Sequence, residues 1–262
     1  MADQEYLLAR ADESSERERL RSLEAWLDPI TVRHLEATGV GPGWRCLEVG
    51  AGGGSVARWL AERVGETGSV VATDIDVRYL TQLPSNVEVR RHDLMSDLLD
   101  TAAYDLVHGR AVLQHLADPQ VGLGRMGNAV APGGWLVVEE NDLGLFTMTA
   151  HPEAERATAI MQDLSTRWTA MGVLDAFFGR KVPGLVHELG FEAFAVDTTT
   201  GIGTRGDAVY DTMRLAWPHT RPGAAAAGLD EAALACLDTV WESPSTWAVT
   251  MTLFAAWARK RE

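Results

Sequence analysis

The sequence predicts an α/β protein built on a doubly wound, mostly parallel sheet. Three observations carry that expectation. Short apolar runs alternate with stretches of helical periodicity through the first 140 residues, a glycine-rich bend joins the first run to a helix, and acidic residues stand at or near the ends of three successive runs. Strands alternating with helices imply βαβ units, whose crossover helices cover both faces of a parallel sheet.

Taken in order, Leu23, Trp26, Leu27 and Ile30 fall at helical spacing, with Pro29 and then Gly39 as punctuation. "RCLEV" is fit for a buried strand, and "SVARWLAERVG" places Val56, Trp59, Leu60 and Val64 on one helical face before a stop at Gly65. The alternation continues with "SVVATDI" as strand, "VRYLTQL" as helix, and "NVEVRRHD" and "YDLVHG" as strands. A helix from Asp118 to about Val130, the turn "APGG" and the strand "WLVVEE" follow. Past Glu140 the pattern changes. Residues 151–190 read as helices ending in "KVPGLVHELGF", "FEAFAVDTTT" returns as strand, residues 206–242 read as helical, and "TWAVTMTLFAAWA" is a last strand. Two late strands flanking a helical insertion imply a sheet edge that carries a lid.

Composition bounds the function. The chain has 262 residues, 46% of them hydrophobic and 23% charged, enough for one sizeable core with attachments. Its 37 acidic against 23 basic residues give a net charge of −14, which disfavours a nucleic-acid substrate. Cys46 and Cys236 are too few for a disulfide framework, and no basic start with an apolar core or membrane-length apolar run is present, so a cytoplasmic setting is expected.

The stretch "CLEVGAGGGSV" concentrates the chemistry. Gly50, Gly52 and Gly54 stand where a strand turns into a helix; glycine allows positive φ and close approach of a ligand, and the helix start presents unpaired N–H groups. Position 55 is Ser where a dinucleotide fingerprint carries its third Gly or Ala, and Glu48 precedes the first glycine by two residues. Asp74, 24 residues after Gly50, is placed to take the hydroxyls of a ribose, and Asp93 is expected to end the third strand. Three carboxylates beside one crevice suit a ligand with a cationic head, a ribose and an exocyclic amine.

Together with "RRHDL", "YDLVHGRAVLQHLADP", "APGGWLVVEE" and "GRKVPGLVHELGF", this stretch resembles the class I S-adenosylmethionine-dependent methyltransferases of bacterial small-molecule and secondary metabolism, over residues 40 to 145 and past 190. The resemblance implies a seven-stranded sheet in the order 3-2-1-4-5-7-6 with strand seven antiparallel. It implies S-adenosylmethionine as cofactor, with Glu48, Gly50 and Gly52, and Ala51 between them, at the methionine end. Asp74 with the adjoining Ile75 would lie at the ribose, Asp93 with Leu94 at the adenine, and Arg110 near the methionine carboxylate. The segment around Tyr6 and Arg19 resembles a helix that closes over the cofactor in related enzymes. The chain then divides into a helical cap at 1–38, a Rossmann-like cofactor-binding core at 39–150, and the rest of the sheet with a substrate lid at 151–262.

His115 in "VLQHLADP" is a candidate base for the proton that a hydroxyl sheds on methylation, with packing beside the cofactor as the competing role. Glu140, followed by Asn141 and Asp142, is a candidate second base or amine holder. Trp168, Trp217, Trp241, Trp247 and Trp257 suit a flat or apolar substrate, although core packing explains such residues as readily. No Asp-Pro-Pro-Tyr-type motif follows strand four, which argues against amino-purine methylation, and "HGR" stands where the magnesium-dependent catechol type has an acidic ligand. The expected activity is metal-independent methyl transfer to O, N or C of a small, hydrophobic or aromatic metabolite. A cofactor-binding scaffold that catalyses a cyclisation and a nicotinamide oxidoreductase are the competing readings, and a homodimer is left open.

Overall fold

The structure is a computed structural model that describes residues 13–262, so Tyr6 lies outside the described residues. In chain order the elements are α1 (Glu13–Ala37), β1 (Arg45–Val49), α2 (Ser55–Val64), β2 (Ser69–Asp74), β3 (Val87–Arg91), β4 (Tyr104–Arg110) and α3 (Pro119–Ala129). They continue with β5 (Val130–Asp142), β6 (Thr147–Thr149), α4 (Ala154–Met171), α5 (Val182–Glu188), β7 (Glu192–Thr204), α6 (Ala208–Ala226), α7 (Glu231–Glu242) and β8 (Trp247–Arg259).

Among the described residues, eight strands form one sheet in the order β3-β2-β1-β4-β5-β8-β6, with β7 beside β8. The pairs β1–β2, β1–β4, β2–β3 and β4–β5 are parallel, with α-helical crossovers between β1 and β2 and between β4 and β5. The expected order is present with β8 as its seventh strand and β7 as its sixth; the three-residue β6, antiparallel to β8, is an addition.

The chain divides into two compact units. The first contains Leu27–Glu140, Phe178–Thr198 and Phe254–Glu262. Strand parity sorts its side chains onto two faces. Cys46, Leu106 and Val137 pack with Leu35 of α1 and with Val56, Leu60 and Val64 of α2. Leu47, Val107 and Val138 pack on the other face with Leu123 and Met126 of α3 and Val182 and Val186 of α5. The second unit contains the described residues before Leu27 together with Asn141–Phe177 and Thr199–Leu253. Its apolar cluster joins Met161, Leu164 and Trp168 of α4 to Tyr210 and Trp217 of α6 and to Leu237 and Trp241 of α7. Each such side chain contributes ~1.5–3 kcal/mol on burial. Trp168, Trp217 and Trp241 are therefore core residues, whereas Trp247 is 45% exposed and Trp257, in the first unit, stacks on His34.

Four local expectations are corrected. "VRYLTQL" forms only a single 3-10 turn, Val77–Tyr79, capped by the Asp76 side chain; Leu80 has left helical geometry and Gln82 has a φ of 56°, a combination that ends helix growth. The helix α1 runs through Pro29 rather than breaking there. "APGG" is not a free turn but an irregularity inside β5, where residues 104 and 106 of β4 face 130 and 135 of β5. A Cβ on Gly134 would lie 2.9 Å from the Asp105 carbonyl oxygen, so the close approach of β4 needs glycine there. Finally, β3 ends at Arg91, which leaves Asp93 in the loop beyond it.

Candidate active site

The glycine loop leaves β1 and enters α2 inside the first unit. Gly50, Gly52 and Gly54 have φ of 68°, 53° and 82°, conformations that an L side chain resists. A Cβ on Gly50 would come within 2.2 Å of Val112 Cγ2, so the loop also lies against the segment that follows β4. Gly54, the N-cap of α2, supplies no side-chain cap and no acid stands in the first turn; a carboxylate from outside the helix, Asp28, stands beside this start instead, accepting from Ser55 Oγ.

Asp74 closes the loop from β2. Its carboxylate accepts the Gly52 N–H at 2.8 Å and the Asp76 N–H at 2.9 Å. Burial pushes its pKa up, opposed by those two N–H groups. Each oxygen retains acceptor capacity for a hydroxyl. Ile75, next along the chain, is 48% exposed and offers an apolar surface at the strand end. Asp93 is exposed and caps its own turn, accepting from the Met95 N–H at 2.8 Å and Ser96 Oγ at 3.0 Å, while the Leu94 side chain is buried in the sheet core.

After β4, Ala111 has a φ of 56°, and a 3-10 turn, Leu113–His115, follows. Glu140, fully buried on β5, holds this turn: its carboxylate accepts the N–H groups of Val112 at 3.0 Å, Leu113 at 2.7 Å and Gln114 at 3.3 Å. Burial drives its pKa up to about 7, against the lowering effect of those three N–H groups. His115 sits on the turn that Glu140 holds, with its Nε2 3.1 Å from Gln114 Nε2. Asn141 and Asp142 belong to the second unit.

Glu48 and Arg110 have partners that the sequence did not disclose. Glu48 Oε2 lies 2.6 Å from His108 Nδ1, both groups buried. Arg110 donates to Thr31 Oγ1 at 2.8 Å and to Asp28 Oδ1 at 2.9 Å, both on α1. Asp28 Oδ1 also accepts from Ser55 Oγ, the first residue of α2, at 3.1 Å. Glu139 is the hub: it accepts from Thr31 Oγ1 at 2.5 Å, faces His34 Nδ1 at 2.5 Å and faces His108 Nε2 at 3.3 Å. His34 Nε2 in turn lies 3.0 Å from Asp197 Oδ2 on β7. Burial would lower both imidazole pKa values, but the carboxylates reverse this, raising that of His34 and bringing that of His108 to about 9.

The structure thus brings Gly50, Ala51, Gly52, Asp74, Ile75, Arg110, His115 and Glu140 to the ends of β1, β2, β4 and β5 within one unit. Asp28, Thr31, His34, His108 and Glu139 were missed. Parity held part of the signal, because Leu106, His108 and Arg110 alternate on β4 as Val137 and Glu139 do on β5.

Comparison with known proteins agrees with this geometry. Residues 47–136 match the family described as "Methyltransferase domain". The chain is 32% identical over 125 residues to methyltransferase str2 of Strobilurus tenacellus, covering 47% of this chain and 45% of that protein. The chain spans about half the length of the curated relatives it matches. Its fold resembles phosphoethanolamine N-methyltransferase 2 of Haemonchus contortus, solved with S-adenosyl-L-methionine, at a TM-score of 0.54 and 16% identity, over 90% of this chain and 53% of that one. It equally resembles the [4+2]-cyclase SpnF, at a TM-score of 0.54 and 19% identity, over 89% of this chain and 81% of that one. The glycine bend, the acid that closes it and the strand order agree with this match, and residues 47–136 carry a methyltransferase domain.

Proposed function

We propose that this chain transfers a methyl group from S-adenosylmethionine to an oxygen, nitrogen or carbon of a small apolar or aromatic metabolite, without a metal. The observation that carries the reading is the loop Gly50–Gly54, three glycines at positive φ closed by the Asp74 carboxylate on the Gly52 N–H. Glycine at position 50 lets the bend pack directly against Val112, which fixes the loop beside the segment after β4, and the remaining acceptor capacity of Asp74 fits a ribose.

When bound, the cofactor supplies a methyl group already activated by its sulfonium leaving group. The chain's own residues position and exclude. Gly50, Ala51 and Gly52 present backbone, Asp74 takes the ribose hydroxyls, and Ile75 shields the adjoining base. The Asp93 side chain is committed to its own turn, so the loop backbone, rather than that carboxylate, faces the adenine. Arg110 braces α1 through Asp28 and Thr31 and acts on the site through that brace. Holding two reactants in line is worth ~7–11 kcal/mol against ~3–5 for a general base, so alignment dominates. His115 takes the proton of a hydroxyl acceptor, and Glu140 fixes the turn that presents it. The acceptor class rests on the charge of −14, which suits an uncharged or cationic substrate better than a phosphorylated one.

Calorimetric titration with S-adenosylmethionine, with NAD as control, tests the reading. Binding in the micromolar range that Asp74→Ala loses is the expected result. No heat with S-adenosylmethionine, or equal heat with NAD, would overturn it.

A further inference from the structure

Five buried or part-buried groups stand in a row in which carboxylate and imidazole alternate: Glu48, His108, Glu139, His34, Asp197. Four contacts of 2.6, 3.3, 2.5 and 3.0 Å link them. A carboxylate only accepts, so each contact needs a proton on the imidazole nitrogen that faces it. A neutral imidazole has one such proton, and a lone pair would then oppose a carboxylate oxygen at one of its two contacts. With Glu48, Glu139 and Asp197 ionised, all four bonds are made together only when both rings carry two protons, that is, when His34 and His108 are cations.

The row is tied to the glycine loop at two points, through Glu48 and through α1. Glu48 precedes Gly50 by two residues on the same strand. Thr31 and His34 fasten α1 to Glu139, and one turn earlier on α1 Asp28 holds both Ser55, the residue that follows Gly54, and Arg110, the last residue of β4. Buried ion pairs are weak contributors to net stability because desolvation offsets their attraction, and their best-attested use is to fix register. This one fixes the register of α1 against the ends of β1, β4 and β5.

We propose that His34 and His108 are positioning residues that latch α1 and Glu48 beside the glycine loop only while both rings are doubly protonated, so that the site is linked to pH. The groups facing His108 are Glu48 from β1 and Glu139 from β5, with Arg110 on its own strand bonded to Thr31. Those facing His34 are Glu139 from β5 and Asp197 from β7, with Arg33 3.7 Å from Asp197 and the Trp257 ring of β8 stacked 5.0 Å away. Asp197 is 40% exposed, which makes the His34–Asp197 end the route by which the first proton leaves as pH rises. Loss of that proton opens the α1 end of the latch; loss of the second frees Glu48. The ligand arm of this proposal rests on the methyltransferase reading, whereas the proton arm does not.

Nitrogen NMR of the imidazoles in the intact protein, assigned with His34→Gln and His108→Gln, tests the proton arm without any ligand. Both rings are expected as doubly protonated imidazolium at neutral pH, with His34 the first to lose a proton on raising the pH. A singly protonated ring at either position at neutral pH would overturn the proposal. The dissociation constant of S-adenosylmethionine, measured over the same pH range, tests the ligand arm. It is expected to weaken by about tenfold across the His34 titration in the native chain, an ordinary coupling between two sites, and to be flat in His34→Gln. The same pH profile in both proteins would refute the link. If S-adenosylmethionine does not bind at any pH, the methyltransferase reading fails while the NMR result still decides the proton arm.

Discussion

Glu139 and Glu140 are adjacent on β5, and their carboxylates serve opposite faces of the sheet. Glu139 engages Thr31, His34 and His108 on the α1 side, while Glu140 accepts the N–H groups of Val112, Leu113 and Gln114 after β4. Both are fully buried, yet burial is overcome in only one of them. At Glu139 the two imidazoles and nearby Arg110 hold the carboxyl well below the usual range against the cost of burial; at Glu140 three neutral N–H groups do not, and its pKa rises to about 7.

That difference predicts a pH dependence of stability. The folded pKa of Glu140 lies above the ordinary ~4.3, so the folded state binds this proton more tightly than the unfolded chain. Its contribution is present below about pH 4.3, is lost as pH rises toward 7, and is then flat, an amplitude on the order of 3 kcal/mol. Glu140→Gln cannot ionise. Urea unfolding at pH 4 and pH 8 should show the variant gaining on the native protein by that order, and a difference that does not change with pH would contradict the assignment.

The glycine loop predicts unequal tolerance at two of its glycines. Gly50→Ala places a methyl group against Val112 at positive φ, costing ~1–2 kcal/mol for the backbone and ~1–3 more for the overlap. At Gly54 the nearest atoms are ends of the Leu80 and Leu83 side chains at 3.1 Å, which can give way. Gly54→Ala should therefore cost ~1–2 kcal/mol, for the backbone alone. Equal losses in urea unfolding would show that the Val112 contact is not fixed.

The glycine loop was legible because its signals are local, whereas the strand order came only with the family resemblance. The run "RCLEV", the glycines that follow it and the 3.6-residue spacing of Val56, Leu60 and Val64 lie within twenty residues of one another. The latch was not legible, because its partners are separated by 31 to 163 positions and nothing in "TVRHLE" marks His34 as more than a residue in the last turn of a helix. Glu140 is legible as a strand end and Glu139 is not, since a strand's parity is known only once its neighbours are. Asp93 was misplaced for a related reason: "VEVRRHD" carries a strand pattern to its end, but pairing with β2 stops at Arg91 and the Asp93 carboxylate caps the next turn.

The Asp28–Arg110 pair predicts a measurable coupling. Their side chains are 30% and 8% exposed and their contact is 2.9 Å, which sets the pair between a surface bridge and a buried one. A double-mutant cycle with Asp28→Ala and Arg110→Ala should give a coupling of ~1–2 kcal/mol, above the ~0.2–1 typical of exposed pairs. Additive losses would mean that α1 is held at this end by Thr31 and packing alone.

The second unit offers a prediction independent of any ligand. Pro218 and Pro222 lie inside α6 and donate no backbone N–H, so the helix loses two of its own hydrogen bonds over one turn. Asp238 of α7 supplies a replacement tie at that turn: its Oδ1 accepts from Trp217 Nε1 at 2.7 Å, and its carboxylate takes Arg221 Nε at 3.0 Å. Trp217 is buried, so Asp238→Ala strands an indole N–H in an apolar cluster and should cost ~1–3 kcal/mol. Asp238→Asn keeps the acceptor and should cost less than half as much. Amide hydrogen exchange would localise the loss to α6 and α7, leaving β1, β2 and β4 protected; exchange that rises equally in those strands would show that the helical unit does not loosen on its own.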